Sequence, residues 1–274
     1  DHIDLGDRSI ACRPFTYEKW EKLHKNAQLN IEKELDTFVD NTLSYASKEK
    51  QFFIRPMIVP SLDTQISGRH VVVVVRGSNY KNDLKAIGAY IAEYRPVLIG
   101  VDGGADALLE NGFKPDIIIG DMDSISDKAL TSGAEIVVHA YPDHRAPGME
   151  RIAKLGLQAK TLPAPGTSED IAMLLAYEKK AELIVTIGTH THMIDFLEKG
   201  RKGMASTMLV RMKIGSKLVD AKGVSMLYRP RHKMNKLWML PVAGLFPLIV
   251  FSWLHPGVRH YYEMIVYYFK LLVS

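Results

Sequence analysis

Two carboxylates follow a run of three isoleucines in the segment PDIIIGDMDS, residues 115–124. Asp121 and Asp123 are one residue apart, so their negative charges repel each other unless a cation lies between the oxygens. Asp102, in the segment VDGG, also follows an apolar run. Carboxylate oxygens combined with water and phosphate oxygens suit Mg²⁺. These three aspartates are therefore the predicted catalytic and metal-ligating residues.

Glycines and small polar residues follow the same and neighbouring apolar runs. Glycine lets backbone N–H groups approach an anion at the start of a helix. The set predicts a metal ion that carries a polyphosphate, such as ATP or another nucleotide or diphosphate ligand. The residues predicted to bind nucleotide or phosphate are Arg76, Gly77, Gly103, Gly104, Ser124, Thr167, Ser168, Asp170 and His190.

Each short motif also has a purely structural interpretation. The D-G-G segment is typical of a turn, and D-x-D-S of an Asx turn in which Ser124 or Asp123 caps the following helix. Thr167 or Ser168, with Asp170, could simply cap the next helix. Residues 143–145 are either a lid over the phosphate site or an irregular polar loop. The cations Lys199, Arg201 and Lys202 are either phosphate contacts or a solvated helix face.

The elements that would position these residues alternate between strand and helix. Apolar, β-branched runs predict strands over residues 70–75, 96–101, 116–120, 135–141 and 182–188. Amphipathic segments predict helices over 80–94, 105–112 and 168–180. This alternation predicts an α/β fold with a mostly parallel sheet and helices on both faces. Ligands bind such sheets at the carboxyl ends of the strands, where the candidate residues lie.

The chain is predicted to have four parts. Residues 1–69 hold a terminal remnant, a long helix over 17–50 and a connection, and residues 70–202 form the α/β domain. Residues 203–236 form a small β-containing annex with a basic segment, and residues 237–274 a membrane segment with a short amphipathic tail. Because the sequence begins at Asp1, we expect it to be a fragment or a processed form.

Residues 237–254 contain no charged side chain, which predicts a transmembrane helix. Trp238 and Trp253 lie near its ends, where aromatic rings prefer the headgroup level. The alternative is a buried core helix, although Pro241 and Pro247 are unfavourable in a soluble helix. The cationic residues before the segment predict that this side faces the cytoplasm; they are Arg229, Arg231, Lys233 and Lys236. Residues 258–274 are either an interfacial helix or the returning half of a hairpin.

Composition limits the classes of protein to which the chain could belong. The chain has 274 residues, a formal net charge of +4 and a single cysteine, Cys12. One cysteine excludes an internal disulfide framework and suits a reducing compartment. The mild charge does not indicate nucleic-acid binding, and no nucleic-acid motif or signal peptide is visible.

The segment GVDGGADALLENGFKPDIIIGDMDSIS resembles the nucleotide-binding domain of thiamin pyrophosphokinases. That family transfers a diphosphate group from ATP to thiamin with Mg²⁺, using an α/β domain joined to a smaller β-sandwich. The resemblance implies metal-ligating roles for Asp102, Asp121 and Asp123, and it implies a homodimer. The family's G-G-R-x-D-H motif is missing, because the matching stretch reads TIGTHTHMIDFLEKGRKGMAST. The part of this chain that would bind the acceptor therefore differs from that of the kinases.

A longer resemblance is to the SteA-like proteins, bacterial proteins with a thiamin pyrophosphokinase-like domain and a C-terminal membrane segment. It rests on RGSNYKNDLKAIGAYIAEYRPVLIGVDGGADALLE, VVHAYPDHRAPGMERI, PAPGTSEDIAMLLA, GTHTHMIDFLEKGRKGMAST and KLVDAKGVSMLY. The resemblance implies a role in cell division or envelope assembly and a protein partner in the division machinery. We expect a single-pass protein of the bacterial cell membrane whose soluble domain is cytoplasmic. Its function is either binding of a nucleotide or diphosphate ligand with Mg²⁺ or ATP-dependent diphosphate transfer to an unidentified acceptor.

Overall fold

The computed structural model describes residues 2–4, 9–11, 16–227 and 239–273. The chain divides into two compact units, residues 1–227 and 228–274. In the first unit, β1 (His2–Asp4) and β2 (Ser9–Ala11) form a two-stranded antiparallel ribbon. The other strands are β3 (His70–Val74), β4 (Val97–Val101), β5 (Ile117–Gly120), β6 (Glu135–Ala140), β7 (Lys160–Pro163), β8 (Leu183–Ile187) and β9 (Leu218–Asp220).

The helices of this unit connect those strands. They are α1 (Tyr17–Ile54), α2 (Tyr80–Ala86), α3 (Gly88–Tyr94), α4 (Gly103–Glu110), α5 (Asp127–Leu130), α6 (Gly148–Lys154), α7 (Ser168–Glu178), α8 (Met193–Glu198), α9 (Ala205–Ile214) and α10 (Val224–Leu227). A short 3₁₀ turn, Gly215–Lys217, links α9 to β9. The predicted helix over 80–94 is present as two helices, since Ile87 leaves the helical conformation between α2 and α3.

Strands β3 to β9 form one parallel sheet in the order β7-β6-β5-β4-β3-β8-β9. The predicted mostly parallel sheet is therefore confirmed. The chain runs outward from β3 to β7 and then returns to the other side of β3, where β8 and β9 follow. The order reverses between β3 and β8, and such a switch point opens a crevice at the carboxyl ends of the strands.

Helices cover both faces of the sheet. On one face, Val71 and Val73 of β3 belong to a core cluster with residues of α7 and α9. On the other, Val72 and Val74 pack with residues of α2, α3 and α4. The strand residues are buried on both sides, which explains why the sequence shows continuous apolar runs and no alternation.

Residues 203–227, the described part of the annex predicted over 203–236, belong to the main unit. Strand β9 extends the sheet by pairing in parallel with β8, with Val185 opposite Val219. Helix α9 packs on the same face as α7 through Val210 and Ile214. These residues do not form a separate β-containing annex, because their one strand, β9, pairs with β8 of the main sheet.

The long helix α1 was predicted for residues 17–50 and is observed from Tyr17 to Ile54. Phe38 and Phe53, in its second half, are buried. In its first half, Trp20 and Leu23 are exposed although they continue the same apolar spacing. The apolar periodicity therefore predicted the helix correctly. The apolar face that it defines is buried only in the second half of the helix.

The second unit contains α11 (Met239–Leu254) and α12 (Pro256–Val273). Helix α11 has 16 residues, about 24 Å at the usual rise, against about 30 Å of hydrocarbon in a bilayer. Helix α12 is longer but carries Arg259, Glu263 and Lys270. Within the described ranges, no helix combines the length and the apolar character that crossing a membrane requires.

The predicted transmembrane helix over 237–254 is therefore wrong. The predicted single-pass placement in the cell membrane, with a cytoplasmic soluble domain, and the predicted membrane contact through this helix are wrong for the same reason. The described helix within this charge-free stretch is Met239–Leu254, and it has Pro247 inside it. The cationic residues predicted to flank it lie outside the described residues, as does Trp238.

Candidate functional site

A cavity of about 480 Å³ lies at the carboxyl ends of the strands, next to the switch point. Side chains that follow β3, β4, β5 and β8 meet there with the first turn of α7. Most of the residues predicted for the site line it. The lining consists of Val75, Arg76, Val101, Asp102, Gly103, Asp121, Asp123, Ser124, Thr167, Ser168, Glu169, His190, Phe196, Lys199 and Arg201.

Asp102, Asp121 and Asp123 form one wall of the cavity, which we call the acidic wall. Asp102 caps the start of α4 with a φ of 46°, a conformation that is strained for a residue other than glycine. The N–H of Met122 donates to its Oδ1 over 3.0 Å. A β-carbon at Gly120 would lie 1.9 Å from the same Oδ1, so only glycine allows this carboxylate to sit against the end of β5.

Burial raises the pKa of Asp102 to about 7, and the charge of Asp121 acts in the same direction. The N–H bond from Met122 opposes this shift, while the charge of Asp123 adds to it. A carboxylate in such surroundings gains strongly from a nearby cation. The acidic wall is thus electrostatically suited to a divalent metal.

The donor set of the acidic wall fits Mg²⁺, since it consists of hard carboxylate oxygens. In the described part of the chain, however, no three His, Cys, Asp or Glu side chains are grouped closely enough to hold a metal ion alone. Mg²⁺ usually keeps several waters and substrate phosphate oxygens in its shell.

The turn after β5 combines the structural and the functional interpretation of D-x-D-S. Oδ1 of Asp121 accepts the N–H of Asp123 over 3.1 Å, which is an Asx turn. The cap of α5 is neither Asp123 nor Ser124. It is Ser126, whose Oγ accepts the N–H of Ala129. Asp123 and Ser124 remain at the cavity, so the turn presents them to a ligand.

The start of α7 contributes hydroxyl groups. Thr167 is the N-cap, and its Oγ1 accepts the N–H of Asp170 over 3.3 Å. Ser168 is held from behind by His139, an imidazole that the sequence did not single out. Nε2 of His139 donates to the carbonyl of Ala164 over 3.0 Å, so Nδ1 is the acceptor for the Ser168 hydroxyl at 3.2 Å. Burial lowers the pKa of His139, which favours this neutral form.

Asp170, predicted to bind phosphate, faces the interior behind the cavity. Its Oδ2 accepts hydrogen bonds from Thr167, Ser206 and Thr207 at 2.9, 2.8 and 3.0 Å. Burial raises its pKa, although the bonds from Ser206 and Thr167 oppose that shift. In this structure, Asp170 ties α7 to α9, and its neighbour Glu169 reaches the cavity.

Glu169 and His190 form a paired wall opposite the acidic one. Oε1 of Glu169 lies 2.5 Å from Nδ1 of His190, and its Oε2 accepts the His190 backbone N–H over 3.0 Å. Because a carboxylate only accepts, Nδ1 is the donor, and Nε2 of the neutral ring keeps its lone pair. Both side chains are largely buried, at 15% and 11% exposure. The sequence marked His190 but did not indicate its partner.

Two of the predicted phosphate-binding glycines are needed for packing. A β-carbon at Gly104 would lie 1.9 Å from the carbonyl oxygen of Val74, and one at Gly77 would lie 1.9 Å from that of Gly188. These contacts bring α4 and the β3 and β8 loops close together. Neither glycine lines the cavity, whereas Gly103 does.

Three cationic side chains lie on the remaining rim of the cavity. Lys199 and Arg201 line the cavity, and Arg76 does so while pairing with Glu110 at 3.1 Å. Residues 143–145, for which a lid and an irregular polar loop were the alternatives, do not line the cavity. There, Arg145 pairs with Asp143 at 2.6 Å and lies over the ring of Tyr141.

Comparison with known proteins gives two matches to family models. The thiamin pyrophosphokinase catalytic domain matches residues 89–191, from α3 to just beyond β8. The SteA-like C-terminal domain matches residues 222–273. The comparison with curated proteins finds no match.

Solved structures similar to this chain include two thiamin pyrophosphokinases. The Bacillus subtilis enzyme is 23% identical, with a TM-score of 0.34 over 56% of this chain and 59% of the enzyme. The Geobacillus thermodenitrificans enzyme is 22% identical, with a TM-score of 0.33 over 55% and 57%. The chain thus spans less than two thirds of either enzyme. A protein from Lactobacillus plantarum is 19% identical, with a TM-score of 0.28 over 49% and 53%.

The two matched domains agree with the family resemblance predicted from the sequence motifs. The first of them contains both the acidic wall and His190, since it covers residues 89–191. The chain thus matches a thiamin pyrophosphokinase catalytic domain over residues 89–191 and a SteA-like C-terminal domain over residues 222–273, the two families that its motifs resemble.

Proposed function

We propose that this chain binds a nucleotide or another diphosphate-bearing ligand together with Mg²⁺ at the carboxyl edge of its sheet. The observation that carries the proposal is the acidic wall, where three carboxylates share one cavity and burial raises the pKa of Asp102 to about 7. The match to a thiamin pyrophosphokinase catalytic domain supports a nucleotide as the ligand.

The roles of the protein groups follow from their chemistry. Bound Mg²⁺ would neutralise phosphate charge and hold phosphate oxygens in a fixed orientation. Asp121 and Asp123 would hold it directly, and Asp102, pressed against Gly120, would hold it or its waters. The backbone N–H groups of Ser168 and Glu169, in the first turn of α7, would donate to phosphate oxygens, because the Thr167 and Ser168 hydroxyls already donate to Asp170 and His139.

Calorimetric titration tests this proposal directly. We expect ATP and ADP to bind the wild-type chain with Mg²⁺ and to bind much more weakly without it. Asp121→Asn, which keeps the shape of the side chain, should remove the dependence on Mg²⁺. Equal binding of nucleotide by wild type and variant, or no binding by the wild type, would contradict the proposal.

Diphosphate transfer from ATP to a hydroxyl acceptor is the second candidate function, and the Glu169–His190 pair favours it. In that reaction the acceptor oxygen bonds to the β-phosphorus while the bond from that phosphorus to the oxygen of the α-phosphate breaks, so AMP leaves with the electron pair. The acceptor proton moves to Nε2 of His190, whose Nδ1–H is held by Glu169. Release of AMP from ATP by the wild-type chain is the measurement. A chain that binds ATP with Mg²⁺ yet releases no AMP acts as a binding module.

We further propose a role in bacterial cell division or envelope assembly, with a protein partner in the division machinery. The match to the SteA-like C-terminal domain supports this. Septum spacing in cells that lack the protein tests the role, and normal division would exclude it.

The kinase resemblance also supports a homodimer, which analytical ultracentrifugation of the whole chain would detect.

A further inference from the structure

Two cations that line the cavity lack a carboxylate partner. Within residues 16–227, neither Lys199 nor Arg201 has an Asp or Glu oxygen within 4.0 Å, although Lys213 and Lys222 pair at 2.6 and 2.7 Å. Their charges therefore act on whatever occupies the cavity. Isolated surface cations are common, so the backbone that carries these two decides whether they form a site.

That backbone is a defined helix C-terminus. Gly200, with a φ of 67°, follows α8, and its N–H donates to the carbonyl of Leu197 over 2.9 Å. The N–H of Arg201 donates to the carbonyl of Phe196 over 2.9 Å. This pair of bonds is the Schellman motif, in which a left-handed glycine ends the helix. Lys199 and Arg201 flank that glycine, so the motif fixes both attachment points.

The motif is also anchored in the interior. Phe196 is buried, lines the cavity and lies 6.4 Å, centroid to centroid, from Phe38 of α1. Burial of an aromatic ring holds the end of α8 against the domain. The two cations thus extend from a fixed support towards the cavity.

Lys199 lies beside the Glu169–His190 pair, and Arg201 is two residues further along the same Schellman motif. Nζ of Lys199 is 3.4 Å from Nδ1 of His190. The acidic wall follows β4 and β5, whereas His190 follows β8, and β5 and β8 are about 14 Å apart at about 4.8 Å per strand spacing. The cavity therefore has a negative end and a positive end, which we call the basic end.

We propose that Lys199 and Arg201 form an anion subsite that binds a phosphate group at the basic end of the cavity. This proposal rests on the proposed function, because it identifies a second charged group of the same ligand set. The phosphate has two possible sources: the terminal phosphate of a nucleoside triphosphate, or a phosphate carried by a second ligand such as the acceptor. Arg and Lys are the side chains that bind phosphate most strongly, through charge-assisted hydrogen bonds.

Two cations at this end of the cavity would repel a positively charged acceptor, although the Glu169 carboxylate lies beside them. Thiamin carries a positive charge, and at the basic end it would face an ammonium and a guanidinium group. The stretch that replaces G-G-R-x-D-H in this chain contains both cations.

The test compares binding in the full chain and in two variants, Lys199→Met and Arg201→Met, which keep much of the side-chain stem. If the subsite holds the terminal phosphate of ATP, each variant weakens ATP about tenfold and leaves ADP unchanged. If it holds the phosphate of a second ligand, ATP and ADP are unchanged. Inorganic phosphate or pyrophosphate, titrated into the chain saturated with ADP and Mg²⁺, then binds about tenfold more weakly.

Lys202→Met is the matched control, because Lys202 is the next exposed cation and does not line the cavity. Lys199→Arg and Arg201→Lys should retain most of the binding, and thermal unfolding checks that every variant is folded. Variants that match the wild type and Lys202→Met with all four probes would overturn the subsite. If the wild type does not bind nucleotide, the proposed function is refuted. Titration of the wild type and the variants with phosphate and pyrophosphate alone would then still test the subsite.

Discussion

Oδ2 of Asp170 accepts a hydrogen bond from the hydroxyl of Ser206 over 2.8 Å, across the junction of α7 and α9. Asp170 is 1% exposed, and its other oxygen, Oδ1, has no partner in the described part of the chain. The carboxylate thus joins the helix that begins at the cavity to the helix that packs beside it. It supports the site from the core side.

Removal of this carboxylate should destabilise the fold. Asp170→Ala leaves the buried hydroxyls of Ser206 and Thr207 and the half-buried hydroxyl of Thr167 without their acceptor, so we expect a loss of about 3 kcal/mol in the free energy of unfolding. Asp170→Asn keeps an acceptor and removes a buried charge, so its loss should be much smaller. Urea denaturation measures both values. Equal stability of the alanine variant and the wild type would show that the junction contributes little.

Asp102 should make the ligand-free chain less stable as the pH rises. Its folded pKa, about 7, is above the ordinary value of 3.8, so the folded state binds more protons between those two values. The free energy of unfolding therefore falls through that window, by about 1.4 kcal/mol for each unit of pKa shift. We expect Asp102→Asn to exceed the wild type in thermal stability at pH 8 and to match it near pH 4. Asp40→Asn, at an exposed position of α1, is the control and should show no such pH dependence.

Much of the candidate site could be predicted because it depends on where strands end. The β-branched runs identified β3, β4, β5, β6 and β8, and in a parallel sheet their carboxyl ends meet at one edge. Asp102, Asp121 and His190 follow three of those ends and line one cavity. Short edge strands gave no comparable signal. β7 and β9 have four and three residues and owe their conformation to pairing with β6 and β8.

What the sequence could not supply is side-chain direction. Glu169 and Asp170 are adjacent acidic residues in the first turn of α7, and about 100° of helix rotation sends one to the cavity and the other to the core. His139 was missed for a similar reason, since only the folded sheet brings β6 behind Ser168. Hydropathy misled at the C-terminus, because it measures composition while spanning also requires helix length.

Gly104 and Gly88 offer a matched pair for the packing interpretation. Both are in helices, but a β-carbon at Gly104 would clash with the carbonyl oxygen of Val74 at 1.9 Å, whereas one at Gly88 has its nearest neighbour at 4.0 Å. We expect Gly104→Ala to unfold the domain or lower its melting temperature strongly. Gly88→Ala should raise the free energy of unfolding by about 0.5–1 kcal/mol, as the gain in helix propensity predicts. Similar effects at both positions would mean that α4 can move away from β3 without cost.

The Glu169–His190 pair predicts a separation of binding from transfer. If Nε2 of His190 takes the proton of the acceptor, His190→Gln should lower AMP release about 100-fold or more and leave the affinity for ATP with Mg²⁺ unchanged. Glu169→Gln should lower the rate less, because Glu169 acts through the imidazole that it orients. Nitrogen-15 chemical shifts of His190 separate that positioning role from a structural one, since they report which ring nitrogen carries the proton. The wild type should carry it on Nδ1, and the Glu169→Gln variant should show a mixture of tautomers. A wild-type ring protonated on Nε2, or one whose tautomer is unaffected by Glu169→Gln, would exclude this arrangement as the base.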